Sequence, residues 1–109
     1  MRLLNDIEDL RKLVYSSRIA VVAYLGSNEE LNDYVIRVLR ALEDVSKEAI
    51  AYGSYRVSEG LKEVVIVVYI DGREVLEQRC YFMNLDLDVI ALKMGIREVT
   101  NSLGIVTPF

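Results

Sequence analysis

The chain has 109 residues with 13 Lys plus Arg and 17 Asp plus Glu, a formal charge of −4, and 52% of it is apolar. That length suits one domain, with enough apolar surface for a core that needs no staples. There is no His and one Cys, which excludes imidazole metal centres, His-assisted nucleophiles, an internal disulfide and a Cys-x-x-Cys redox pair.

The charges are spread along the chain without a basic stripe, so nucleic acid is not an expected partner. No apolar run approaches about 18 residues, so no membrane segment is expected, and the chain reads as a cytoplasmic protein. No Gly-rich phosphate loop is present and no cofactor is expected. Few Gln, no His or Trp and many Val and Ile lean toward the composition of thermophile proteins.

Residues 5–17 predict a helix capped by Asn5, with Leu4, Ile7, Leu10, Leu13 and Val14 on one stripe. Arg18 to Leu25 is a continuous apolar run of strand length, the pattern of a strand covered on both faces. Gly26 breaks it. Ser27-Asn28-Glu29-Glu30 reads as a capping box with Ser27 as N-cap, leading into a helix over about 28–46. Residues 49–57 predict a strand weakened at Gly53, and 58–62 a short turn around Gly60. Residues 63–70 form the strongest strand signal, Asp71-Gly72 a hairpin turn, and 73–82 a more polar returning strand. Asn84 opens a last helix that runs to about Leu103, with Gly104 as terminator. The order is α-β-α-β-β-β-α.

Residues 5–25 followed by a capped helix resemble the opening of the thioredoxin fold. Val64 to Glu74 (VVIVVYIDGRE) is similar to that family's strand–turn–strand hairpin, and 85–103 to its last helix. The resemblance implies an α/β sandwich around a four-stranded mixed sheet. It stops at the chemistry. Where thioredoxins carry Cys-x-x-Cys this chain has Gly26-Ser27-Asn28-Glu29, and Leu61, Lys62 and Glu63 stand where a cis-proline precedes the hairpin. The family's helix between its second and third strands has no counterpart, because 58–62 is too short. Strands joined so closely pair more naturally as an antiparallel hairpin than as a parallel crossover. A meander of 49–57, 63–70 and 73–82 is therefore the competing reading, with a roadblock- or longin-type sandwich in view.

Cys80 reads as a small buried strand residue, with a reactive thiol as the alternative. Asn84, Asp86 and Asp88 read as helix-capping groups rather than cation ligands, and no metal site is expected. Asp9, Glu43, Asp44, Glu63 and Glu77 are read as solvated carboxylates. Tyr52, Tyr55 and Arg56 are the candidate contact residues, on a strand whose single charge would protect it poorly as a sheet edge. The functional expectation is a non-catalytic protein-binding or assembly module, acting as a homodimer or on an unidentified protein partner. The alternatives are a dimeric scaffold for a small GTPase and a single-thiol enzyme using Cys80.

Overall fold

A computed structural model of the chain describes residues 1–57 and 63–109, so the expected turn around Gly60 lies outside the described residues. The elements are β1 (Arg2–Leu4), α1 (Ile7–Ser16), β2 (Ile19–Leu25), α2 (Glu29–Ser46), a 3-10 turn over Lys47–Ala49, β3 (Ile50–Arg56), β4 (Val65–Ile70), β5 (Arg73–Gln78) and α3 (Leu85–Ser102).

The five strands form one sheet in the order β1-β3-β2-β4-β5. β2 pairs parallel with β3, Ile19 opposite Ile50 through Leu25 opposite Arg56. On its other side β2 pairs antiparallel with β4, Ile19 opposite Ile70. β4 and β5 form the hairpin, turned at Asp71 and Gly72 with φ of +52° and +80°. That is the double left-handed turn that the Asp-Gly pair serves. The sheet is therefore mixed, as the thioredoxin resemblance implies. The meander is overturned, because β2 lies between β3 and β4 and the two never pair.

The strand count is also corrected. Residues 2–4 add a fifth strand, pairing parallel with β3 from Arg2 opposite Gly53 to Leu4 opposite Tyr55. Three residues are too few to show a period of two in the sequence. They matter nonetheless: β3 is no longer an open edge along Gly53–Tyr55, so that part of the expected exposed edge strand is covered.

Alternation along β2 and β4 divides the core. Ile19, Val21, Ala23, Val64, Ile66 and Val68 face α2 and α3, where Val35, Val38, Leu39, Leu42, Leu92 and Ile96 meet them. Val22 faces the other way, into a smaller cluster with Leu4, Leu13 and Val14 of α1. Full burial of each such Val, Leu or Ile contributes roughly 1.5–3 kcal/mol.

Helix ends differ by one residue from expectation. Asp6, not Asn5, caps α1, accepting from Asp9 N–H at 2.8 Å, while Asp9 reaches back to Asn5 N–H at 3.1 Å. Asn28, not Ser27, caps α2, accepting from Leu31 N–H. The reason is Asn32, whose amide both accepts from Gly26 N–H at 3.0 Å and donates to Gly26 C=O at 2.9 Å. That bond pulls the turn one residue past Ser27. α3 ends as expected: Gly104 at φ +71° lets Ile105 N–H reach Thr100 C=O and Gly104 N–H reach Asn101 C=O.

At Gly53, Leu13 of α1 packs directly over β3. A Cβ there would stand 2.5 Å from Leu13 Cδ2, 3.0 Å from Leu4 Cδ1 and 3.3 Å from the Arg2 carbonyl oxygen. Because Leu13 is itself fully buried, Gly53→Val is expected to cost about 1–3 kcal/mol by overpacking. The midpoint of urea unfolding measures it.

Candidate functional site

The C-terminal end of the parallel strands gathers the β2–α2 turn, the end of β3, the start of β4 and the segment 79–84. At the β2–α2 turn, Asn28 and Asn32 take up the turn's backbone groups, and Arg56 closes over it with two bonds to Glu29, at 2.7 and 3.3 Å. The Arg56 guanidinium holds the Glu29 carboxyl below the ordinary carboxylate range. The site of the missing Cys-x-x-Cys is thus a self-satisfied helix start carrying two carboxylates.

The sequence-derived contact residues separate. Tyr52 is 2% exposed, with its ring in the core and its hydroxyl on Ser46 Oγ at 2.8 Å. Burial pushes that phenol up to about 12. It offers nothing to a partner in the folded chain. The period of two explains this: Tyr52 lies on the face of β3 that meets α2. Tyr55, on the opposite face, is half-buried and stacks edge-on against Tyr24 at 6.1 Å between centroids. Arg56 is exposed but engaged by Glu29.

Tyr55 leads to a surface that the sequence reading did not assemble. α1 covers the sheet over β1, β3 and β2. Beyond β2, on the same face, Val65, Val67 and Tyr69 of β4 and Glu74 and Glu77 of β5 line a groove of about 320 Å³ together with Tyr24, Val57 and Arg79. The register puts them there: Tyr24 stands opposite Val65, Val67 opposite Glu77, and Tyr69 opposite Glu74. The groove has an apolar floor and an aromatic wall. Tyr24 and Tyr69 join their hydroxyls at 2.5 Å, and burial, followed by that bond, raises the Tyr24 phenol.

Its rim is acidic. Arg79 is bound by Glu77 and, at 2.9 Å, by Glu63, while Glu74 stands against Glu77. Three carboxylates surround one cation. The Glu74 carboxyl is raised, first by the hydrogen bond it shares with Glu77 when protonated, then by lost hydration and by Glu77's charge, with Arg79 opposing. Of the carboxylates read as solvated, Glu63 and Glu77 are therefore brought together here. Asp9 instead helps to cap α1, and Glu43 meets the amino group of Met1 at 2.6 Å. The sequence signal for the groove was the alternation Val65, Val67, Tyr69; Glu74 and Glu77, three residues apart, share its face only through the register shift at Val68/Tyr69. What the alternation lacked was the knowledge that α1 stops short of it.

Cys80 is exposed. β5 ends at Gln78 rather than Phe82, so Cys80 sits past the strand and the expectation of a buried residue is corrected. Its neighbour Arg79 is committed to two carboxylates. Asn84 caps α3 as expected, accepting from Leu87 N–H at 3.1 Å. Asp88 does more than cap. It is 0% exposed, and accepts from Phe82 N–H at 2.9 Å, Met83 N–H at 3.1 Å and the hydroxyl of Tyr34 on α2. It ties segment 81–84 and α3 to α2. Burial, then this bond, pushes the Tyr34 phenol up to about 12. Among the described residues no cluster of three or more potential ligands stands ready for a metal ion, and no helix is long and apolar enough to cross a membrane.

Two outcomes follow from these carboxylates. Asp88→Ala leaves two amides and a buried phenol without an acceptor and is expected to cost about 3 kcal/mol, against about 1 kcal/mol for Tyr34→Phe; chemical denaturation compares them. Glu74 has a raised folded pKa, so its contribution to stability is fully present below the ordinary carboxylate range and is lost as pH rises through the raised value. Glu74→Gln is therefore expected to raise the urea midpoint at neutral pH and to leave it unchanged in acid, where both carboxyls are protonated.

No family model matches the chain, and no curated protein sequence matches it. Solved structures do. A designed protein superposes with a TM-score of 0.71 at 18% identity, over 90% of each chain. Plasmodium falciparum thioredoxin gives 0.68 at 10% identity, over 90% of this chain and 98% of the other. Malassezia sympodialis thioredoxin gives 0.68 at 9% identity, over 91% and 92%. Identities this low carry the fold and nothing finer. Strand order, mixed pairing and these superpositions together establish that the chain has a thioredoxin-like fold.

Proposed function

We propose that the chain is a thioredoxin-like module that binds a protein partner without covalent chemistry, and that the partner presents a basic segment with apolar side chains to the groove on β4 and β5. The observation that supports this is the groove itself, with Val65 and Val67 at its floor, half-buried Tyr24 and Tyr69 at its wall and an excess of carboxylate on its rim. Aromatic side chains give contact area at small entropic cost. The crowded carboxylates Glu74 and Glu77 gain most from a cation that arrives from outside, and such a contact would steer association and weaken with salt. Dithiol exchange of the thioredoxin kind needs two cysteines, and the chain has one. A reducing cytoplasm, where a lone exposed thiol stays free, suits this reading.

The test is a titration of the isotope-labelled chain with a peptide of alternating Lys and Leu, followed by amide chemical shifts, with a Glu/Leu peptide as control. The expected result is a saturable response confined to residues around Tyr24, Val67, Tyr69 and Glu74, weakened by salt and lost in Glu74→Lys/Glu77→Lys. A response elsewhere, an equal response to the acidic peptide, or none would overturn the reading. Rapid reduction of insulin disulfides by the chain with dithiothreitol would overturn the non-redox part separately.

A further inference from the structure

α3 buries one side and leaves the other bare. Asp88, Leu92, Ile96 and Thr100 are buried, whereas Leu87 is 49%, Ile90 51% and Met94 61% exposed. The three recur at the spacing of a helix stripe, and no element of the described chain covers them. Shallow clefts run along the stripe, one between Ile90, Lys93, Met94 and Arg97, the next between Met94, Arg97, Glu98 and Asn101.

The charges beside the stripe select its occupant. Asp86 and Arg97 are eleven residues apart, about three turns or roughly 16 Å along the axis, and so lie on the same flank. Neither takes part in an ion pair among the described residues. Lys93, on that flank too, is turned over the Phe109 ring at 5.7 Å. In an antiparallel helix pair the same flank of each helix faces the other. A second α3 laid antiparallel on the stripe therefore brings Ile90 against Met94 of the second copy. It also sets Asp86 beside the second copy's Arg97 at one end and Arg97 beside its Asp86 at the other. One two-fold axis through the middle of α3 satisfies both.

We propose that two copies of the chain dock through the outer face of α3, antiparallel, with Ile90 and Met94 at the centre, and Leu87 and the reciprocal Asp86–Arg97 pairs toward the ends. This docking is independent of the groove on β4 and β5, which lies on the other side of the sheet.

Sedimentation equilibrium of the intact chain over a wide micromolar range tests it, with reductant present so that Cys80 forms no cross-link. A reversible dimer is expected. Met94→Lys is expected to weaken it by about tenfold or more. Asp86→Arg sets like charges against each other in both pairs, and so does Arg97→Asp, so each variant alone is expected to weaken the dimer. Mixed in equal amounts, the two are expected to form a heterodimer of wild-type strength, because every pair is then again of opposite sign. Circular dichroism confirms that the variants are folded; the positions are exposed, so their folding is expected to hold. A chain that stays monomeric throughout, a dimer indifferent to Met94→Lys or to the single charge changes, or a mixture that fails to associate would each overturn the proposal.

Discussion

Everything in this molecule is placed relative to β2. Its seven residues, Ile19–Leu25, pair parallel with β3 on one edge and antiparallel with β4 on the other, and all but Tyr24 are buried. A strand enclosed this way has its polar backbone satisfied by two neighbours and its side chains shielded by two layers of helix. It can then be apolar throughout, and RIAVVAYL is so apart from Arg18 and the tyrosine hydroxyl. The pairing of opposite hand on its two edges also dictates the connections. β2 and β3 therefore end, and β4 begins, at the same end of the sheet, where β2 runs into α2. The β2–α2 turn, Arg56, Glu63 and segment 79–84 gather at that end.

Buried polar groups hold that end in shape. Asn32 binds Gly26 through both its oxygen and its nitrogen, and Asp88 receives two amides and the Tyr34 hydroxyl; at the opposite end, where α2 finishes, Tyr52 is met by Ser46. Among the described residues no buried side-chain nitrogen or oxygen is left without a partner. Such groups add little net stability while satisfied, and their loss is costly because the remaining partner stays desolvated. Their effect here is positional. Asn32 sets where α2 begins, and Asp88 sets how α3 and the chain leading to it lie against α2. The bare outer face of α3 owes its orientation to that anchor.

The same sheet face is covered over β1, β3 and β2 and open over β4 and β5 because there is one helix, α1, on that side. α1 is ten residues long, and its Leu13 and Val14 are spent on Leu4 and Val22. The half that α1 leaves uncovered has Val65 and Val67 only 6% and 5% exposed and takes carboxylates at its margin. Charge at a margin limits indiscriminate association and at the same time specifies the sign of what can bind.

Much of this was legible in the chain. Helices, the central strand, the hairpin at Asp71-Gly72 and the stop at Gly104 are written in local periods and local turn chemistry, where a residue's effect reaches only its near neighbours in sequence. The missing chemistry was legible too, since it follows from counting His and Cys. What stayed hidden depends on contacts between distant segments. β1 is too short to carry a period and exists because β3 offers it an edge. Tyr52 and Tyr55 look alike in sequence, and the register of β3 sends one into the core toward α2 and the other to the opposite face, against Tyr24. Asp88 looked like a helix-end carboxylate until Tyr34, fifty-four residues away, met it in the interior. Composition and periodicity determined a small α/β domain without dithiol chemistry. Tertiary structure decided which faces remain open, because exposure is set by what packs opposite a residue, and that is a property of pairs of elements that no local stretch of sequence contains.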